Sequence, residues 1–394
     1  MKSVAILGGG CSGPLAALLL ARRGYTVTLY ERRADPRTQG VAAGRSINLA
    51  LADRGIRALE RAGLMDRLRP ALVPMHSRMI HEIGRAPQSF CYGQRPEEVL
   101  WSASRATLHR LLIEAAIADG VECHFGQALV DADFATQEAI LEDAATKHRY
   151  RVAMTPAIAA DGSGSAMRRA MARAGFCEAS EDVLSHLYKE LNIAPDANGQ
   201  ARLDPEHLHI WPRGAHMLIA LPNADNSLTA TLFMQAEGSD ASFAALRDPA
   251  AARQFFEREF SDVLALMPDF EHQFSAHPVG KLATIRTDVW NAHGTALLLG
   301  DSAHGIVPFH GQGLNCCFED CLALDELVAA DLDWQTCFER FTALRRPNAD
   351  AIARMALENY VEMRDSVRDP RFQLQKALSL LLERRHHERG YLPQ

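Results

Sequence analysis

The stretch from Ser3 to Glu31 constrains the fold more than any other part of the chain. A short apolar run, Ser3–Leu7, leads directly into Gly8-x-Gly10-x-x-Gly13, and Pro14–Arg23 follows with leucine and alanine on one helical face. Gly24 ends that helix, and the next strand, Thr26–Tyr30, delivers Glu31 at its carboxyl end, 18 residues after Gly13. A lone GxGxxG is weak evidence. In a strand, turn, helix, strand context with an acid in place, it reads as a βαβ dinucleotide site. The glycines serve the tight turn and the approach of a pyrophosphate, the helix N-terminus meets its charge, and the acid meets ribose hydroxyls.

A second stretch, Gly300–Cys321, reads GDSAHGIVPFHGQGLNCCFEDC. The run Thr295–Leu299 enters it as a buried strand would, and Gly300-Asp301 ends that strand with a short hydrogen-bond acceptor. Pro308 fixes one bend, and Gly311 and Gly313 let the backbone come close to a flat ligand. Leu314, Phe318, Cys321 and Leu322 then recur at helical spacing. The unpaired amides at Gly313–Asn315 predict a positive pocket suited to an oxygen that gains negative charge.

At 394 residues the chain exceeds the size of one hydrophobic core, and its 47% apolar content supplies a large interior. Lys+Arg 42 against Asp+Glu 49 gives a net charge of −7, and no basic run marks a nucleic-acid partner. The eight cysteines form no C-x-x-C pair and read as reduced thiols, including Cys316, Cys317 and Cys321, for which buried thiols are expected instead of a metal site. No uninterrupted apolar stretch of about 18 residues is present, so no membrane span is expected. A cytoplasmic protein with a small-molecule partner fits these features.

Several strings together resemble the single-component FAD- and NADPH-dependent aromatic hydroxylases, and most closely the kynurenine 3-monooxygenases. They are the two motifs above, GRSINLAL at 44–51, PMHSRMIH at 74–81, CYG at 91–93, AADG at 159–162, LHIWPRGAHMLIALPN at 208–223 and RRPNADAIARMALENYVEMRD at 345–365. The resemblance runs from Val4 to about Arg368. It implies an α/β fold, with a Rossmann-like FAD-binding domain, an inserted antiparallel-sheet substrate domain and C-terminal helices. The expected division is residues 1–70, 101–175 and 282–345 for FAD, 71–100 and 176–281 for substrate, and 346–394 for the helical end.

Cofactor contacts implied by the resemblance are Gly8, Gly10, Ser12 and Gly13 of the first motif, then Tyr30, Glu31, Arg32 and Arg33. Arg45, Ala50, Arg105, Leu129 and Asp161 follow, and Asp301, Gly313, Leu314 and Asn315 complete the set. Arg78 and Tyr92, on a hairpin read from Met75–His81 and Gln88–Tyr92, are expected to hold an amino-acid carboxylate. Met217, Ile219 and Phe233 are candidates for an apolar wall, with core packing as the plain alternative. Pro308, Phe309, His310 and Gln312 lie in the loop between cofactor and substrate, and Asn359 and Met363 border the pocket. Strands are expected from Phe176 to about Lys281. Two helices, Trp334–Leu344 and Ala349–Met363, should meet at Arg345-Arg346-Pro347, with a last helix at Gln373–Arg385.

The implied reaction hydroxylates L-kynurenine to 3-hydroxykynurenine through a C4a-hydroperoxyflavin, with non-covalent FAD, NADPH and O2. The flavin carries the chemistry, so no catalytic side chain is required of His304, His310 or Glu319. A hydroxylase of another aromatic acid and a non-catalytic flavin-binding protein are the alternatives. Oligomeric state, monomer or homodimer, is left open. Tyr391-Leu392-Pro393 resembles a point after which the family continues, so the pocket is expected to have one wall thinner if the chain stops at Gln394.

Overall fold

The computed structural model describes residues 2–38, 48–93, 95, 98–154, 156–238 and 240–361, with positions 374, 378, 381, 382 and 385. Most of the expected Gln373–Arg385 helix lies outside the described residues. The first strand, Ser3–Leu7, is central in a six-stranded sheet, with Thr26–Glu31 and Glu122–Phe125 on one side and Ala157–Ala159, Ala296–Leu298 and Asn291–Ala292 on the other. All neighbours run parallel except the last pair. Ile6 and Leu7 are wholly buried, as their apolar run requires in a sheet covered on both faces. Helices Ser12–Arg22, Arg105–Ala118 and Gly313–Ala329 supply much of that cover.

The second large sheet has seven strands in the order Val279–Thr287, Ala179–Ile193, Leu228–Gln235, Met217–Pro222, His207–Pro212, Ser77–Ile80 and Gln88–Cys91. The expected Arg78 hairpin is present as an antiparallel pair at its edge. Val279–Thr287 pairs with Ala179–Ile193 on both sides of residue 281, and Leu72–Met75 and Leu100–Ala103 pair with each other in a separate small sheet. Strand alternation sends Tyr188, Phe233, Met217, Thr231, Ile219, Ile210, Leu208 and Arg78 to one face. The other face carries Leu191, Trp211, Leu218, Leu232 and Met234.

That other face is covered by helices Pro249–Glu259, Ser261–Leu264 and Phe270–Ala276, where the sequence reading expected strands. Their signal was local. Asp248 caps the first helix by accepting from the Ala250 amide at 3.1 Å, Pro249 sits at its first position, and Phe255, Phe256, Phe260, Phe270 and Phe274 fill the space beneath the sheet. Lys189 points the same way and closes the far end of the last helix, donating to the carbonyl of Phe274 at 2.7 Å and to that of His277. Burial pushes its ammonium pKa down.

A second correction concerns Pro347. The chain does not break there: Trp334–Val361 is a single helix with the proline inside it. An internal proline costs about 3 kcal/mol. Phe338 and Phe341 before it, and Ile352, Ala353, Ala356 and Tyr360 after it, are all buried. At about 1.5–3 kcal/mol for each large side chain, that burial outweighs the lost hydrogen bond.

Behind Arg78, on the opposite face of its strand, lies a cluster of histidines. Ser77 Oγ lies 2.6 Å from His207 Nδ1 and 2.7 Å from Ser89 Oγ, and His81 Nε2 lies 2.9 Å from His209 Nδ1. The His81 ring stacks on Trp211 at 4.3 Å, and Trp211 donates to Asp262 at 2.7 Å. Burial, with the neighbouring His209, pushes His81 down to about 4 from an ordinary 6.5. The unfolded chain therefore takes a proton in this window that the folded one refuses, so stability is lost as pH falls from about 6.5 to 4. Urea midpoints across that range should fall in the parent and fall less in His81→Phe, which keeps the stack on Trp211. An identical slope in the variant would remove His81 as the cause.

Candidate functional site

Between the two large sheets lies a cavity of about 1020 Å³. Its floor is the first turn. Gly8 has a φ of +114°, and a Cβ there would stand 2.2 Å from the Ala160 carbonyl oxygen. A Cβ on Gly13 would stand 1.9 Å from the Gly8 carbonyl oxygen, so this glycine serves helix-to-strand packing and does not line the cavity. A Cβ on Gly10 would meet nothing within 4 Å. That open space before a helix N-terminus is where a pyrophosphate fits.

Glu31 closes the turn from the side. Its Oε2 accepts from the Gly9 amide at 2.6 Å, and its Oε1 accepts from the Arg33 amide at 2.9 Å and from Arg33 Nε at 2.8 Å. Burial alone would raise the carboxyl pKa, but Arg33 and these hydrogen bonds outweigh it and hold the group below its usual range. With three bonds made, a carboxylate retains acceptor capacity for a ribose hydroxyl. Tyr30, Arg32 and Arg33 line the same end, and Leu129 reaches it from the antiparallel strand Gln127–Asp133.

The cavity's other rim is the second motif. Helix Gly313–Ala329 has no side-chain cap and no acid in its first turn, and Gly313 and Leu314 line the cavity. The amide donors expected there are left for a ligand. Asn315 is wholly buried and points away: its Oδ1 accepts from the Ala52 amide at 2.9 Å, and its Nδ2 donates to the carbonyls of Ala50 at 2.9 Å and Gly311 at 3.0 Å. It ties Ala50, which lines the cavity, to the loop. Asp301 lines the wall and accepts from Cys317 Sγ at 3.5 Å.

Asp161, in the third motif, caps the helix that follows it, and the next residue, Gly162, donates its amide to Ser302 Oγ of the second motif at 3.0 Å. Asp161 Oδ2 accepts from the amides of Ala166 at 2.7 Å and Met167 at 3.2 Å, while its buried Oδ1 has no hydrogen-bond partner among the described residues. Arg168 crosses between motifs, donating to the carbonyl of Ser302 at 2.6 Å and to that of Ser163. Ser12 and Arg105 also line the cavity. Arg45 and Met363 lie outside the described residues.

Opposite stands the face of the seven-stranded sheet. Arg78, Tyr92, Met217, Ile219 and Phe233 line it, with Pro308, Phe309 and His310 arriving from the loop. The Arg78 guanidinium carbon is 5.4 Å from the Tyr92 ring centre. Arg78 Nε and Tyr92 Oη are buried without a hydrogen bond to the described residues. Burial pushes the Tyr92 phenol up against the pull of Arg78, so it stays a donor at neutral pH. Gln312 does not line the cavity, and its Oε1 accepts from Arg54 at 3.4 Å. Asn359 stands behind the loop and donates through Nδ2 to the Phe309 carbonyl at 2.5 Å. Tyr188, Thr231, Arg169 and Lys281 line the cavity as well and were missed by sequence reasoning. Strand alternation, applied to Phe233, would have found Thr231 two residues before it.

Comparison with known proteins agrees with this geometry. A family model described as "FAD binding domain" matches residues 1–356. Kynurenine 3-monooxygenase of Stenotrophomonas maltophilia (strain K279a) is 46% identical over 385 residues, 98% of this chain and 84% of that protein. The enzyme of that name from Xanthomonas campestris pv. campestris (strain 8004) is 45% identical over 384 residues, with the same coverage. In fold, the chain is similar to the tetrameric form of 2-methyl-3-hydroxypyridine-5-carboxylic acid oxygenase, with TM-score 0.75, 19% identity and coverage of 92% and 93%. Pseudomonas aeruginosa PqsL, in complex with 2-aminobenzoylacetate, gives TM-score 0.71 at 20% identity, with coverage of 92% and 97%. The fold and the cavity thus define an FAD-dependent monooxygenase. Within that class, the chain belongs to the kynurenine 3-monooxygenase family. Among the described residues, no helix is long and apolar enough to cross a membrane.

Two glycine substitutions separate cofactor space from packing. Gly10→Ala should fold but hold FAD poorly, since the added methyl enters open space. Gly13→Ala should fail to fold, because the clash is with backbone. Glu31→Ala should weaken FAD binding by about 1–3 kcal/mol, through loss of the bonds that shape the turn. Flavin fluorescence titration with far-UV circular dichroism reads all three, and a Gly10→Ala protein with parental FAD affinity would exclude the proposed pyrophosphate position.

Proposed function

We propose that this chain hydroxylates L-kynurenine to 3-hydroxykynurenine in the cytoplasm, using FAD, NADPH and O2. The observation that carries the substrate is Arg78 beside Tyr92: a cation and a neutral phenol at the edge of the wall that carries Met217, Ile219 and Phe233, both with buried polar atoms unmatched by the described residues. A guanidinium and a hydroxyl suit the carboxylate of an amino acid. Met217, Ile219 and Phe233 suit an aromatic ring beyond it, and Asn359 acts through the Phe309 carbonyl to hold the loop against that ring. FAD held there and reduced by NADPH would supply the electrons that activate O2. The chain's own part is to hold the cofactor by its phosphates and ribose, orient the ring, and keep water out with this apolar lining.

The division of the chain into residues 1–70, 101–175 and 282–345 for cofactor, 71–100 and 176–281 for substrate, and 346–394 as a helical end belongs to the same proposal. The cavity walls support its main line, since the first group supplies the floor and the second the opposite face.

The mass of the product formed from kynurenine with NADPH and O2 tests the reaction, and NADPH oxidation with a panel of aromatic acids tests the substrate. Kynurenine should be the best stimulant. Arg78→Ala should weaken its binding by about 1.5–3 kcal/mol, roughly 10- to 150-fold in KM, and should spare FAD affinity. Parental KM in that variant would sink the carboxylate assignment.

A further inference from the structure

Directly behind the cofactor rim is a buried chain of four charged side chains that the chemistry above does not use. His304 Nε2 lies 2.5 Å from Asp320 Oδ2, Arg345 Nε donates to Asp320 Oδ1 at 2.7 Å, and Arg345 Nη2 donates to Glu319 Oε2 at 2.9 Å. The side chains of His304, Asp320 and Arg345 are at most 5% exposed, while that of Glu319 is 27% exposed. His304, Cys316 and Asp320 also offer three ligand atoms within 4.8 Å of one another. A metal there would compete with Arg345 for Asp320, whose charge already faces two cationic groups. The thiols alongside stay protonated, pushed up by burial and by Asp320 or Asp301.

The position of the chain gives it a consequence. Glu319 and Asp320 stand in the second and third turns of helix Gly313–Ala329, whose first turn presents uncapped amides to the cavity. Seven residues at about 1.5 Å each put Asp320 about 10 Å from that turn. In a buried setting, a charge at that range is felt with little screening. His304 is followed by Gly305 and Ile306, which line the cavity. Two uncompensated carboxylates would oppose the positive end of the helix, and two cations cancel them. Burial lowers the His304 imidazole pKa, yet Asp320, 2.5 Å from its Nε2, outweighs that and raises it above the ordinary value.

We propose that His304, Asp320, Arg345 and Glu319 are positioning residues that act through charge: they keep the rim electrically neutral behind the helix N-terminus and thereby set how much more tightly the cavity holds reduced, anionic FAD than oxidised FAD. The proposal rests on FAD occupying this cavity. Failure of that reading would show separately, as purified protein without flavin.

The experiment measures the flavin midpoint potential of FAD-loaded protein against reference dyes, together with the dissociation constant of oxidised FAD. His304→Gln removes a positive charge and should make the potential more negative, with the preference for reduced FAD falling several-fold. Glu319→Gln removes a negative charge at the more exposed end and should make it more positive by a similar factor. The double variant should return close to the parent. Merely loosening the rim would move both single variants the same way, and that result overturns the proposal, as does an unchanged potential in either. Should His304→Gln not fold, Glu319→Gln decides alone: a rise supports the charge mechanism, and no rise ends it. Arg345→Lys, which keeps charge and loses the forked geometry, should hold the parental potential even with a lower melting temperature, and a shifted potential there would point to geometry instead.

Discussion

The contact on which the rest depends is the approach of helix Ser12–Arg22 to the end of strand Ser3–Leu7, so close that no side chain fits at Gly13. This approach aims the helix N-terminus across the end of the sheet, where Glu31 from the neighbouring strand and Asp161 beyond Ala157–Ala159 also arrive. The Gly8 backbone in turn leaves room for the Ala160 carbonyl. The three motifs, far apart in sequence, therefore meet through backbone contacts before any ligand is considered. A dinucleotide adds to a floor that the apolar core has already rigidified, which lowers the entropy cost of binding.

The wall facing this floor follows a different logic. A seven-stranded sheet exposes one face to the cavity and buries the other on three helices packed through five phenylalanines, Phe255, Phe256, Phe260, Phe270 and Phe274. In the inner strands alternation makes a cavity residue neighbour a packing residue, and a one-residue slip would exchange them. Phe233 and Leu232 are such a pair, as are Arg78 and Ser77. The histidines behind Arg78 are thus part of its support: they pack the back of a strand whose front carries a cation.

The floor was almost wholly legible in the sequence, because glycine and acid spacings report backbone geometry directly. Glu31, Asp161 and Asp301 stand where the motifs predict. Roles were less legible than positions. Asn315 and Gln312 sit in the expected loop yet turn away from the cavity, Asn315 to backbone groups of Ala50, Ala52 and Gly311 and Gln312 to the Arg54 side chain. The helices at 249–276 were missed because a run of phenylalanines reads as strand or helix equally well, and the decisive signals, Asp248 and Pro249, occupy only two positions. Pro347 misled in the opposite direction: its local rule is sound, but burial of the helix on both sides prevails.

These differences have a common cause. Where a residue's role follows from its own backbone, as at Gly13, the sequence shows it; where the role depends on a partner hundreds of positions away, only the fold does. Arg345 illustrates this most clearly. In the sequence it precedes a proline in an apparent break between helices. In the fold it reaches from an unbroken helix into the helix that rims the cofactor cavity and meets Asp320 there. An unpaired carboxylate so deeply buried would cost several kcal/mol. Arg345 adds a second cationic partner to the one Asp320 has in His304, and the long helix holds it there. The Pro347 helix and the cofactor rim are therefore a single electrostatic unit, joined across the interior by one guanidinium.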